Sequence, residues 1–231
     1  NGADPIGAEE KPQALPPRKG RAHLTRLLDV LARIRSISTL PFAQMLQHEV
    51  PHLSWGTTVI LITGASGGIG SAIARAFAGE GAKLVLHYHR NLAGARKLQH
   101  ELAAVDPLLV RADLTKESQV INLFGQASRR FGRVDTLVAN AGSWEIRDVP
   151  LYKMPLKQWR GTQDGVLTST FLCVREFFRL VAKQKRGNAV LIGSTAAVFG
   201  EANHADYAAA KAAIASASSR CTSKRSSTPR S

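Results

Sequence analysis

The chain has 231 residues, of which 44% are hydrophobic and 21% charged, and a formal net charge of +14. That composition can bury a core of ordinary domain size and is unlike that of a disordered polymer. Two cysteines exclude a disulfide framework and no apolar run reaches the roughly 18–20 residues of a membrane-spanning helix, so a reducing, cytoplasmic setting is expected.

Residues 1–20, NGADPIGAEEKPQALPPRKG, mix Pro, Gly and charges without an apolar period, which predicts a flexible leader. From Leu24 to Ile37 apolar residues fall at Leu24, Leu27, Leu28, Leu31, Ile34 and Ile37, with Arg26, Arg33 and Arg35 on other faces. This helical stripe predicts that 21–56 is a helical extension. Asp4, Glu9, Glu10 and Asp29 argue against a targeting segment, which would be poor in acids. His48 and His52 are four apart, but Pro51 breaks the helix that would bring them to one metal, so neither is read as a ligand.

From Thr57 onward short apolar runs alternate with helical patterns. The runs are VILIT (59–63), KLVLH (83–87), PLLVR (107–111), DTLVA (135–139) and AVLIG (189–193); the helical stretches lie at about 69–80, 92–104, 116–132 and 155–186. Such alternation builds a parallel sheet through right-handed crossovers with helices on both faces. The expected fold is therefore α/β, a Rossmann-like doubly wound sheet of about five strands over residues 57–214. Beyond Ile214, ASASSRCTSKRSSTPRS holds seven serines, four basic residues and nothing apolar larger than Ala or Cys. It cannot bury enough surface to offset its ordering entropy, so 215–231 is expected to be a disordered basic tail. The rest of the positive surplus is spread along the chain without a recognisable reading module, so no nucleic-acid partner is expected.

Thr63-Gly64-Ala65-Ser66-Gly67-Gly68-Ile69-Gly70 follows the first strand and opens a helix. Glycines there permit a tight turn, let backbone amides approach a pyrophosphate and let helix pack closely on strand. The helix N-terminus adds about half a positive charge facing the anion. TGASGGIG in this place resembles the TGxxxGxG motif of short-chain dehydrogenases/reductases. The resemblance continues with Asp113-Leu114 after strand three, Asn140-Ala141-Gly142 after strand four, Ser194 after strand five, and Tyr207-Ala-Ala-Ala-Lys211. The 3-oxoacyl-carrier-protein reductase-like branch is the most similar. The resemblance implies that Gly64, Ser66, Gly68, Ile69 and Gly70 hold the dinucleotide. It also implies that Asp113 and Leu114 lie along the adenine, and that Asn140, Ala141 and Gly142 line the cofactor floor.

At the end of the second strand an acid would accept hydrogen bonds from a ribose hydroxyl and repel a 2′-phosphate. The chain has Tyr88, His89 and Arg90 there instead. A guanidinium offers a phosphate a planar fork of donors, so NADP(H) is favoured over NAD(H), with His89 and Arg90 at the phosphate.

Tyr207 and Lys211 are four apart and share a helical face. A free phenol titrates near 10, and a nearby ammonium favours its phenolate. Ser194 ends the fifth strand and can hydrogen-bond a substrate oxygen. The resemblance implies that Tyr207 is the general acid/base, Lys211 its tuner and ribose anchor, and Ser194 the carbonyl-orienting group of an oxidoreductase interconverting a ketone and a secondary alcohol. It also implies a homo-oligomer through the long helices.

Two departures from the family pattern stand out. Val166 occupies the place of an Asn that helps hold a water relay to the lysine, with Asp164 and Thr168 nearby. The strands and substrate-covering segment that follow the Tyr/Lys helix in the family are replaced by the Ser/Arg tail, which predicts a C-terminally truncated or altered domain. The alternative expectation is an inactive remnant that at most binds dinucleotide. Trp144, Trp159 and His204 are read first as packing or surface residues, and Cys173 as a small core residue.

Overall fold

The computed structural model describes residues 55–218. The expected leader, the expected 21–56 extension except its last two residues, both His48 and His52, and 219–231 lie outside the described residues. The first strand, β1 (Val59–Ile62), is followed by α1 (Gly68–Gly79), β2 (Lys83–Tyr88) and α2 (Leu92–Glu101). Then come β3 (Leu108–Arg111), α3 (Glu117–Phe131) and β4 (Thr136–Ala139). The five strands, including β5 (Asn188–Leu191), form one sheet in the order β3-β2-β1-β4-β5, and every pairing is parallel.

Alternation along the strands explains why helices cover both faces. Val59 and Leu61 of β1 and Leu137 of β4 point into one core, against Leu123, Phe124 and Phe177. Ile60, Ile62, Leu84 and Leu86 point into the other, against Ala74 and Leu98. The first core belongs to α3 and the long helix before β5, the second to α1 and α2. Every residue of β1 is buried, as a central strand requires. Asp135 fixes the register at its start: Val59 N–H donates to the Asp135 carboxylate at 3.0 Å. Cys173 lies in the first core, and burial pushes its thiol up to about 12, which leaves it unreactive at neutral pH.

The single helix expected over 155–186 is three pieces in one rod. These are α4 (Leu156–Thr162), a π-helical turn (Gln163–Thr168) and α5 (Ser169–Gln184). The sequence supplies the cause. Gly161 and Gly165 weaken the helix, while the Ser169 and Thr170 hydroxyls donate back to the Gly165 and Val166 carbonyls at 2.8 and 2.7 Å. Such back-bonding competes with the backbone and bends a helix.

After β5 a four-residue turn of helix, α6 (Ala196–Phe199), leads to α7 (Ala205–Ser218). That last helix runs four residues past the boundary expected at 214. Large apolar residues stop at Ile214, but Ala and Ser can continue a helix without them. Among the described residues β5 is paired on one side only, and its Val190 is 47% exposed.

Candidate active site

The loops that leave the C-terminal ends of the strands meet at one edge of the sheet, where a doubly wound fold presents its ligands. The glycine loop turns at Gly64, whose φ of +65° favours glycine. It is held from two sides. Asn140 Nδ2 donates to the Thr63 and Gly64 carbonyls at 2.9 and 3.3 Å. On the other side, Gly64 N–H donates to His87 Nδ1 at 3.0 Å, and Ala65 N–H to the His87 carbonyl at 2.8 Å. Thr63 Oγ1 accepts from the Asn140 and Ala141 amides at 2.9 Å each, which joins the loop after β1 to the loop after β4.

At the start of α1 the amides of Gly68, Ile69 and Gly70 have no partner within the helix and lie at its positive end; Gly68 and Ile69 are exposed, and Gly70 is buried beneath the loop. Gly70 is the point of closest approach: a Cβ there would lie 2.4 Å from the Gly64 carbonyl oxygen and 2.9 Å from Asn140 Nδ2. A Cβ at Gly68 would meet no atom within 4 Å, so that side of the turn is open.

The opening belongs to a cleft of about 840 Å³. Gly64, Ser66, Gly68, Ile69 and Gly70 line its floor, and His89, Arg90, Asp113 and Leu114 one end. Asn140, Ala141, Gly142, Tyr207 and Lys211 line the other. No hydrogen bond or ion pair occupies the Arg90 guanidinium among the described residues. Partial burial, the largest single influence, works to raise the Asp113 carboxyl, but two hydrogen bonds from Thr115, at 2.7 and 3.0 Å, together with the charges of His89 and Lys116 hold the group below its usual range. The glycine cradle, the helix N-terminus and the volume of the cleft fit a dinucleotide.

Tyr207 and Lys211 stand one turn apart on α7. Lys211 is 5% exposed and donates to the Ile192 carbonyl at 2.7 Å; its Nζ lies 5.8 Å from the Tyr207 ring centroid. Burial lowers the lysine's pKa. Ser194 is placed differently. Its hydroxyl accepts from Ala196 N–H at 3.2 Å in the turn after β5, and it is not among the residues lining the cleft. Asp206 is buried and accepts from Thr162 Oγ1 at 2.7 Å and Gln158 Nε2 at 3.2 Å, so α4 is bonded to the start of the helix that carries Tyr207.

Residues 58–226 match the family model described as short chain dehydrogenase. The chain belongs to the short chain dehydrogenase family. A 3-oxoacyl-[acyl-carrier-protein] reductase of Synechocystis sp. is 37% identical over 158 residues, which cover 68% of this chain and 63% of the relative. A cis-4-hydroxycyclohexanecarboxylate dehydrogenase of Sinomonas cyclohexanicum is 37% identical over 159 residues, with 68% and 63% covered. An uncharacterized oxidoreductase of Bacillus subtilis is 34% identical over 167 residues, covering 70% of this chain and 24% of that protein. The chain thus spans less than two-thirds of the length of these relatives.

Val166, which stands where the resemblance expects an Asn, is fully buried in the π turn and forms a small core with Ala210 and Ile214, against which Leu167, Leu191 and Tyr207 pack. It makes the environment behind the Tyr207 ring apolar. Two groups near the site carried no clear signal in sequence. Trp144 is 45% exposed, stacks on His204 with ring centroids 4.1 Å apart, and meets the Tyr207 ring edge-on at 5.7 Å. With Ser143, Pro155 and Gln158 it lines a second hollow of about 390 Å³, which shares Ser143 and Gly161 with the main cleft. His204, read as an ordinary exposed residue, is buried, with Nε2 3.2 Å from the Asp148 carboxylate. Trp159 lines neither hollow.

His87 is the other such group. It is 2% exposed, and burial, the largest influence, lowers its pKa to about 4 despite the bond to Ala112. An unfolded histidine titrates near 6.5, so between about pH 6.5 and 4 the unfolded chain binds the proton and the folded one does not. Stability from this residue is full above pH 6.5 and is lost as pH falls, by about 3 kcal/mol in all. Urea titrations at pH 7, 6, 5 and 4 check this against His87→Asn, which has no such group. The gap between the two proteins should shift against the wild type as pH drops. A constant gap would contradict a neutral buried imidazole.

Proposed function

We propose that this chain is an NADP(H)-dependent oxidoreductase that interconverts a ketone and a secondary alcohol, with Tyr207 as general acid/base. The shared face of Tyr207 and buried Lys211, opening on the same cleft as the glycine loop, supports this most directly. The names of two relatives describe reduction of a 3-oxo group and dehydrogenation of a ring hydroxyl, both couples of this class. When bound, the dinucleotide supplies or accepts the hydride.

The chain's own residues do the rest. The amides that open α1 hold the pyrophosphate, Asp113 and Leu114 flank the adenine, and Lys211 anchors the nicotinamide ribose. In the reduction direction Tyr207 Oη gives its proton to the carbonyl oxygen as negative charge develops there, and the Lys211 ammonium steadies the phenolate left behind. Ser194 orients the carbonyl once its hydroxyl turns from the Ala196 amide. The apolar face of Trp144 borders the bound substrate. Two cysteines in the whole sequence support a cytoplasmic location, and exposed Phe171 and Phe178 on α5 support a homo-oligomer.

Titration of the purified protein with NADPH and with NADH, followed by nicotinamide fluorescence, tests the cofactor assignment. NADPH should bind more tightly, and Arg90→Ala should weaken NADPH about tenfold or more while leaving NADH unchanged. Equal loss for both dinucleotides would remove Arg90 from the phosphate. A second reading, dinucleotide binding without turnover, is favoured by Val166, which puts an apolar wall where the family pattern has a polar relay. Saturable NADPH binding with no oxidation of NADPH across a ketone panel would select it.

A further inference from the structure

We infer that His87 is a positioning residue for the dinucleotide: its imidazole fixes the Gly64 amide and thereby sets the loop that carries the ligand. This rests on the dinucleotide reading above. Both ring nitrogens are engaged, Nδ1 with Gly64 N–H and Nε2 with the Ala112 carbonyl, each at 3.0 Å. An amide only donates and a carbonyl only accepts, so the ring is neutral, with its proton on Nε2. One residue of β2 therefore links the loop after β1 to the end of β3.

The backbone at the same position does the same work. The His87 carbonyl takes the Ala65 amide at 2.8 Å, so two successive loop amides end on this residue. Asn140 holds the opposite edge of the loop through its carbonyls. Residues 63–65 are thus pinned on both edges, and the exposed turn that follows, at Gly68 and Ile69, is left open to a ligand. A histidine in the otherwise apolar run Leu84-Val85-Leu86 needs such a reason. Leucine would fill the space and would leave the Gly64 amide and the Ala112 carbonyl unpaired.

Three variants test the assignment: His87→Asn, His87→Leu and, as a control for lost stability alone, Ile60→Val in the buried core of β1. The readout is NADPH affinity at a temperature well below each unfolding midpoint, with folding checked by circular dichroism. Asn places an acceptor near the position of Nδ1, so it should bind NADPH within about threefold of the wild type. Leu should weaken binding tenfold or more, and Ile60→Val should bind as the wild type does. If His87→Leu does not fold, His87→Gln replaces it with the same expected loss, because its amide sits one bond further out, level with Nε2. Wild-type affinity in His87→Leu overturns the inference, as does a loss in His87→Asn or Ile60→Val as deep as that in His87→Leu. A wild-type protein that binds neither NADPH nor NADH overturns the dinucleotide reading itself.

Discussion

Replacing Tyr207 by Phe should lower kcat/KM for ketone reduction by about 10²–10⁴-fold, the range spanned by losing a positioned general acid. The substitution removes one oxygen and keeps the ring. The contacts of that ring with Trp144 and with the Val166 cluster therefore remain. Lys211 keeps its bond to the Ile192 carbonyl, so NADPH affinity should stay within a few-fold of the wild type. Steady-state kinetics and a fluorescence titration of the same preparation separate the two effects. Retained turnover would assign the proton to another group, and parallel loss of binding would make Tyr207 a cofactor ligand first.

Gly70→Ala should abolish measurable NADPH binding and lower the thermal midpoint by roughly 2–12 °C. The added Cβ would sit 2.4 Å from the Gly64 carbonyl oxygen and 2.9 Å from Ala65 Cα, both backbone atoms that no side-chain rotation can move away. Relief requires the loop to shift as a unit against the Asn140 and His87 hydrogen bonds. Overpacking of this kind costs about 1–3 kcal/mol, and in a domain of this size each kcal/mol moves the midpoint by about 2–4 °C. Gly68→Ala is the matched comparison. Its Cβ has no neighbour within 4 Å, so the midpoint should hold while any loss falls on the ligand alone. A Gly70→Ala protein with wild-type midpoint and affinity would mean that the loop is not tightly seated.

The strands were legible because each is a short apolar run, and fully buried strands such as β1 need little else to be found. The alternation of runs and helical patterns was enough to fix a parallel sheet covered on both faces. The glycine loop, the Asn-Ala-Gly turn and the Tyr/Lys pair were legible because each is contiguous or of fixed helical spacing. What escaped depends on long-range encounters. His87 and Gly64 are brought together by strand pairing, and the stacking of Trp144 on His204 joins segments about sixty residues apart. The resemblance points to Ser194, but the bond it makes in the turn after β5, outside the residues that line the cleft, carries no sequence signature. The π turn escaped for a different reason: its apolar pattern is that of an ordinary helix, and the hydroxyls that open it act on the backbone.

The π turn also lets one rod meet two obligations. Upstream, Gln158 and Thr162 of α4 must face Asp206 on the helix of Tyr207; downstream, Cys173 and Phe177 of α5 must face the sheet. In an unbroken α-helix each residue advances about 100°, so turning one of these faces would turn the other. The extra residue accommodated at Gln163–Thr168 sets the two halves independently. A change that restored an unbroken helix through Gln163–Thr168 would therefore pull α4 away from Asp206 or α5 away from the sheet.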